Sequence, residues 1–345
     1  MMFNDIYRGK RVLLTGHTGY KASWLALWLH RMGATVLGIS HPPRPFPTHY
    51  EIINLTDIME ADIHNDIACV QEIKSLKPDI IFHLAARAIV ARTFKEPEDT
   101  FRYTIMGAVH MLELCRQCPS IQGIVMATSD KVYQNNEWDY AYREIDTLGG
   151  DDPYSTSKVC VEHIVDCYRK SFDMNIAVGR CGNVVGGGDF SEKRLIPDIA
   201  KATAKGEPVI IHTPNATRPF QHTLDALQGY LLLGKAILEG QDVNKCWNFG
   251  PTDEMTVLQV LETAKEVWPK ITWEVDNVPT HKFMVYLLKI DSTESRKLLG
   301  WQSVWNMAHA VRMAVLWYKV WYETGHVLSN EDIRDYESSW EEAIC

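Results

Sequence analysis

The sequence has no apolar run approaching the ~20 residues a bilayer-spanning helix needs, and its opening Met-Met-Phe-Asn-Asp carries no apolar leader core. A cytoplasmic protein with no membrane partner is expected. Positive charge is also short: 35 Lys and Arg face 44 Asp and Glu, a formal net charge of -9. Non-specific nucleic-acid binding needs a broad cationic surface that releases counterions, so no nucleic-acid partner is expected. Arg and Lys gathered locally can still hold an anion. Disulfide and metal spacings are missing too. Cysteines at 69, 115, 118, 160, 167, 181, 246 and 345 are scattered, several in apolar runs, and read as reduced thiols. Cys115 and Cys118 form a lone C-x-x-C with no second pair to complete a site, so no metal is expected.

What is present suffices for a packed core. The chain has 345 residues, 46% of them hydrophobic, with 11 Trp and 14 Tyr, which is more than one compact core usually holds. Short β-rich runs alternate with helical patterns. Strands are predicted at Arg11 to Thr15, Thr35 to Ser40, Asp79 to Leu84, Gly123 to Thr128 and Asn175 to Arg180, with a helix reaching about Met32 after the first. This alternation predicts an α/β protein built on a Rossmann-type, doubly wound parallel sheet. The proline-rich stretch from His41 to Pro47 must be a loop. After Arg180 the rhythm changes: 182 to 189 reads as a loop, and helices follow at Leu224 to Leu238, Thr256 to Val267 and Met307 to Tyr322. Residues 1–180 are expected to form a dinucleotide-binding Rossmann domain, to which some later segments return. Residues 181–345 are expected to supply mainly a smaller mixed α/β substrate-binding lobe and C-terminal helices.

Thr15-Gly16-His17-Thr18-Gly19-Tyr20-Lys21-Ala22 follows the first strand and opens a helix. Gly16 and Gly19 let the backbone turn tightly toward a pyrophosphate, whose charge the helix N-terminus meets. With Thr18 and Tyr20 they form the predicted dinucleotide cradle. Asp62 and Ile63 close the next βα unit, where a carboxylate can accept from an adenine amine. Leu84-Ala85-Ala86 ends another strand with small side chains that leave room for a cofactor. At the end of the second strand, Ser40 and His41, with Arg44 beyond, stand where an acid would select NAD, so NADP is not excluded by this position.

Tyr154 and Lys158 stand at i and i+4, one face of a helix. A nearby ammonium and an oxidised nicotinamide both favour phenolate, and should lower the Tyr154 pKa until it can take a hydroxyl proton. Ser129-Asp130-Lys131 follows the strand that ends at Thr128. A simple dehydrogenation or epimerisation needs only the Tyr, the Lys and a hydroxyl; the added acid and amine suggest a further proton transfer.

These residues resemble the extended short-chain dehydrogenase/reductases, and among them the CDP-glucose branch of the nucleotide-sugar 4,6-dehydratases. The resemblance covers nearly the whole chain. It rests on T-G-H-T-G-Y-K-A-S-W at 15 to 24, F-H-L-A-A at 82 to 86, T-S-D-K-V-Y at 128 to 133 and D-P-Y-S-T-S-K at 152 to 158. It continues through G-N-V-V-G-G-G-D at 182 to 189, R-L-I-P-D at 194 to 198, R-P-F-Q-H at 218 to 222 and W-N-F-G-P at 247 to 251. The resemblance implies a recycled NAD and a homodimer formed by the helices around Gly107 to Cys115 and Tyr154 to Phe172. It also implies catalytic positions at Ser129, Asp130, Lys131, Tyr154 and Lys158. Asn183, Arg194, Arg218 and His222 would line the nucleoside-diphosphate sugar, where Arg can fork onto diphosphate oxygens. Ala22, Arg87-Ala88, Thr104 and Lys282 depart from the family pattern. A nucleotide-sugar 4-epimerase or reductase shares the Tyr and Lys without elimination, and a non-catalytic NAD-binding sensor is the reading from outside enzymology.

Overall fold

Short apolar strands carry the architecture of the computed structural model, which describes residues 2–40, 47–55, 59–61, 66–276 and 288–344. In chain order they are β1 (Arg11–Thr15), β2 (Thr35–Ile39), β3 (Met59–Ala61), β4 (Ile80–His83), β5 (Ile124–Ala127) and β6 (Ile176–Cys181). Then come β7 (Asn183–Val185), β8 (Val209–Ile211), β9 (Thr217–Arg218), β10 (Phe220–His222), β11 (Cys246–Phe249), β12 (Met255–Thr256) and β13 (Trp273–Val275).

Seven of them make one sheet in the order β11-β6-β5-β4-β1-β2-β3, every neighbouring pair parallel. Every residue of β4, β5 and β6 is buried, which explains their continuous apolar runs in place of alternation. The expected doubly wound sheet is therefore present. Its switch point lies between β1 and β4, where ligands of such sheets bind beyond the carboxyl ends. Strand ends differ from expectation by a residue or so. β11 joins the sheet from the C-terminal half of the chain, beside β6.

The stretch 182–189 is not wholly a loop. Asn183–Val185 pairs in parallel with Phe220–His222, a partner distant in sequence that no local pattern reveals. The glycines that follow are fixed by packing. A Cβ on Gly187 would sit 1.9 Å from the Trp317 ring, and one on Gly188, whose φ is +79°, 2.5 Å from the His49 ring. The indole of Trp24 donates to the Gly187 carbonyl at 3.0 Å.

Helix Tyr20–Arg31 is buried continuously from Ala22 to Leu29, so it lies inside the molecule rather than on it. It meets the C-terminal helix Ser329–Ile344, where Trp28 packs edge-on against Tyr336. His49 stacks on Trp24 and bridges the hydroxyls of Ser23 and Ser329, both at 2.8 Å. Trp28 donates to Glu337 at 2.8 Å. Among the described residues no helix is long and apolar enough to cross a membrane.

Candidate active site

The site gathers at the carboxyl ends of β1, β4 and β5. Gly16 follows β1 with φ +75°, a conformation glycine adopts without strain, and a Cβ there would lie 2.9 Å from the Ala85 Cα. The two loops at the switch point thus touch backbone to backbone. The amide of Ala85 donates to Thr15 Oγ1 at 3.2 Å, and that of Leu84 to the Thr15 carbonyl at 3.3 Å. Gly19 occupies the N-cap of helix Tyr20–Arg31, with no capping side chain and no acid in the first turn. Its first N–H groups and dipole are thus free of a competing side-chain anion. Thr18 and Ser40 share a hydroxyl contact of 2.6 Å, joining the β1 loop to the end of β2. Ala86 continues the β4 loop. A dinucleotide fits this cradle: it is glycine-lined, small-walled beside Ala85 and Ala86, and uncapped where a pyrophosphate would lie. Asp62, Ile63, His41, Arg44 and Lys282 lie outside the described residues.

Helix Pro153–Phe172 starts on Asp152, whose carboxylate accepts the amides of Tyr154 and Ser155 at 2.8 and 3.0 Å, with Pro153 in the first turn. This places Tyr154 in the first turn and Lys158 one turn later. The Lys158 ammonium donates to the Ala127 carbonyl at 2.9 Å, and its burial, with the charge of Lys21, lowers its pKa to about 7. Ser129 caps a single 3-10 turn, Asp130–Val132. Its hydroxyl donates to Asp130 Oδ1 at 2.9 Å and accepts the Lys131 amide at 3.2 Å. Burial raises the Asp130 pKa against the pull of Lys131, which favours the protonated acid.

The expected low Tyr154 pKa is not what the chain alone produces. Burial pushes the phenol up to about 12, outweighing the Ser129 hydroxyl. The Lys158 ammonium is spent on a carbonyl and is only partly charged near neutrality, so it does not supply the depression.

The remaining expected residues fall into separate settings. Asn183 is exposed at the start of β7, and Arg194 precedes helix Leu195–Lys205 in an ion pair with Asp189 at 3.4 Å. The Arg194 charge also reaches Tyr154. Arg218 lies on β9, opposite Met255. His222 lies in the core. It has no solvent exposure, its ring packs against Trp24 and Trp305, and its Nδ1 accepts the Leu224 amide at 3.3 Å. Burial lowers its pKa to about 3, which favours the neutral ring, and its Nε2 finds no partner among the described residues.

Lys21 went unread. Its ammonium lies 5.8 Å from the centre of the Tyr230 ring, burial lowers its pKa, and its charge acts on both Lys158 and Asp130. The available signal was a lysine in the first turn of an otherwise apolar helix. Thr104, a departure from the family pattern, sits in a π-helical turn, Arg102–Met106, and accepts the Arg87 amide at 3.4 Å.

A doubly wound sheet with a glycine cradle at its switch point and a Tyr-x-x-x-Lys helix beside it defines a dinucleotide-dependent enzyme of the short-chain dehydrogenase/reductase kind. The chain belongs to the NAD dependent epimerase/dehydratase family, whose pattern matches residues 12–246. It is 37% identical to the CDP-glucose 4,6-dehydratase of Salmonella typhimurium, over 98% of this chain and 99% of that one. A probable dTDP-glucose 4,6-dehydratase of Sinorhizobium fredii is 24% identical, covering 89% and 92% of the two chains. The fold is shared with an epimerase of Methanothermobacter thermautotrophicus (TM-score 0.83, 20% identity, 94% and 96% covered). It is shared too with a Bacillus anthracis dTDP-glucose 4,6-dehydratase solved in complex with NAD (TM-score 0.77, 19% identity, 90% and 97% covered).

Proposed function

We propose that this chain is a nucleotide-sugar 4,6-dehydratase that converts CDP-glucose to CDP-4-keto-6-deoxyglucose with a retained NAD. The observation that carries this reading is the meeting of two proton-handling units at one sheet edge: the Tyr154 and Lys158 face, and a buried Ser129-Asp130 turn whose acid is held toward its protonated form. An epimerase or reductase needs only the first. The likeness to the Salmonella typhimurium enzyme over nearly both full lengths supports the choice of base and sugar.

NAD, when bound, supplies the hydride acceptor at C4 of the sugar and returns the same hydride to C6. Gly16, Thr18, Gly19 and Tyr20 would hold its pyrophosphate end, and Leu84, Ala85 and Ala86 would wall the site. Tyr154 Oη takes the proton of the 4-hydroxyl, oriented by Ser129 Oγ. The resulting ketone acidifies H5. Lys131 Nζ, acting as the neutral amine, would remove H5 and, as the ammonium so formed, give a proton back to C5 once hydride has reached C6, while Asp130 gives its proton to the departing 6-hydroxyl so that it leaves as water. Tyr154 would need a positive charge from an oxidised cofactor to offset the burial that raises its pKa in the chain alone. Asn183, Arg194 and Arg218 face the diphosphate in this reading, and residues 181–345 supply most of the sugar-nucleotide side. The free thiols of Cys115, Cys118, Cys160, Cys167, Cys181 and Cys246 suit a cytoplasmic setting.

Purified protein incubated without added cofactor against CDP-, dTDP-, GDP- and UDP-hexoses tests the reading. CDP-glucose should yield the 4-keto-6-deoxy product. Inversion at C4 with no deoxy product would establish the epimerase instead.

A further inference from the structure

One buried ion pair holds both proton-handling units. Glu162 lies one turn beyond Lys158 on helix Pro153–Phe172, and Arg180 lies on β6; both side chains are 3% exposed. Arg180 Nε donates to both carboxylate oxygens, at 3.0 and 3.2 Å, and its Nη2 donates to Oε2. Of the further contacts the pair makes, one from each partner flanks the Ser129-Asp130-Lys131 turn, and Cys246 Sγ also reaches Glu162 Oε2 at 3.7 Å. Thr128, immediately before it, donates its hydroxyl to Glu162 Oε1 at 2.7 Å. Tyr133, two residues after it, accepts from Arg180 Nη1 at 2.8 Å and presents its ring 4.9 Å from the guanidinium. Tyr133 in turn donates to Asn248 Oδ1 at 2.8 Å, while Arg180 Nη1 also reaches the Glu144 carbonyl at 3.1 Å.

We propose that Glu162 and Arg180 are positioning residues that fix the Asp130 turn against the Tyr154 and Lys158 face, through Thr128 at one end of the turn and Tyr133 at the other. The inference rests on the dehydratase reading for its kinetic consequence and on geometry alone for its structural one. A buried, fully hydrogen-bonded pair is costly to assemble, and a hydrophobic pair of like volume is often as stable. Its use here is to give two segments from different elements a single register. A turn with neither anchor keeps its residues but not the sub-ångström placement on which proton transfer depends.

Thr128→Val and Tyr133→Phe each remove one anchor while sparing the buried charges, and Thr128→Ser restores the first hydroxyl. Two readouts decide. Hydrogen exchange followed by mass spectrometry should show amides 130–133 exchanging about tenfold faster in both single variants, with helix Pro153–Phe172 unchanged and Thr128→Ser like wild type. With CDP-glucose, kcat should fall about 10- to 100-fold at a KM within about twofold, while single-turnover oxidation at C4 is retained. Exchange at 130–133 that matches wild type in both variants overturns the proposal, as does a loss spread equally over helix 153–172. If wild type forms no deoxy ketone, the dehydratase reading falls, and the exchange result still decides the positioning role.

Discussion

Burial acts in opposite senses on the groups that meet at the β5 edge: it raises the pKa of Asp130 and Tyr154 and lowers that of Lys158 and Lys21. In the ligand-free protein both shifts on the oxygen acids favour their protonated forms. Asp130→Asn should leave C4 oxidation intact and stall before water is lost, so that single-turnover quenching finds a 4-ketone that still carries its 6-hydroxyl. Deoxy product at the wild-type rate would remove Asp130 as the acid. Tyr154→Phe should keep folding and substrate affinity and cost about 10²- to 10⁴-fold in turnover, the usual scale for a lost general base; calorimetry and steady-state kinetics on the same sample separate the two effects. The spacing of Tyr154 and Lys158 could be read in the sequence because helical periodicity is local. The burial of His222, Lys21 and Glu162 could not, because neighbours far along the chain create it.

At the level of elements, β1, β2, β4, β5 and β6 were legible within a residue or so, since a parallel strand covered on both faces must be apolar throughout. β3, three residues long, gives too short a signal, and β7 exists only because β10 lies beside it. The glycine run at 186 to 188 stood out in the sequence, yet its cause is an aromatic wall. Gly187→Ala should destabilise by roughly 1–3 kcal/mol or more, because its methyl would enter the Trp317 ring and neither the indole nor the backbone can yield freely. Urea unfolding measures it, and combining the change with Trp317→Leu should recover part of the loss. Additive losses would show that the contact is not the cause.

Across the whole molecule, two features bear on assembly and on pH. Helices Gly107–Gln117 and Pro153–Phe172 lie together, tied by Tyr168 donating to Glu113 at 2.9 Å, with Met106 and Phe172 exposed at their ends. We expect them to form a homodimer, seen as twice the 39.4 kDa chain mass in light scattering at micromolar concentration; a single-chain mass would refute it. Asp225 joins helix Thr223–Leu238 to the last helix by accepting from Tyr336 at 2.8 Å, and from the Val304 amide at 2.6 Å, and burial raises its pKa to about 7. Between about 4, where the unfolded carboxyl ionises, and about 7 the folded state holds the extra proton. Stability from this group therefore falls as pH rises through that window. Asp225→Asn should flatten the slope, so its melting temperature relative to wild type climbs from pH 5 to pH 8. Parallel curves would place the proton elsewhere.

The clasp of His49 and Trp28 on Ser329 and Glu337 spans 280 and 309 residues of chain. In a growing polypeptide the cofactor helix thus leaves the ribosome long before the segment that covers it. Trp28 lacks Tyr336 and Glu337 until that segment is made, and contacts of this span close slowly. The covering of helix Tyr20–Arg31 consequently waits for the segment that begins at Ser329. A nascent chain halted before Ser329 presents an open tryptophan face to chaperones, in place of a finished first domain.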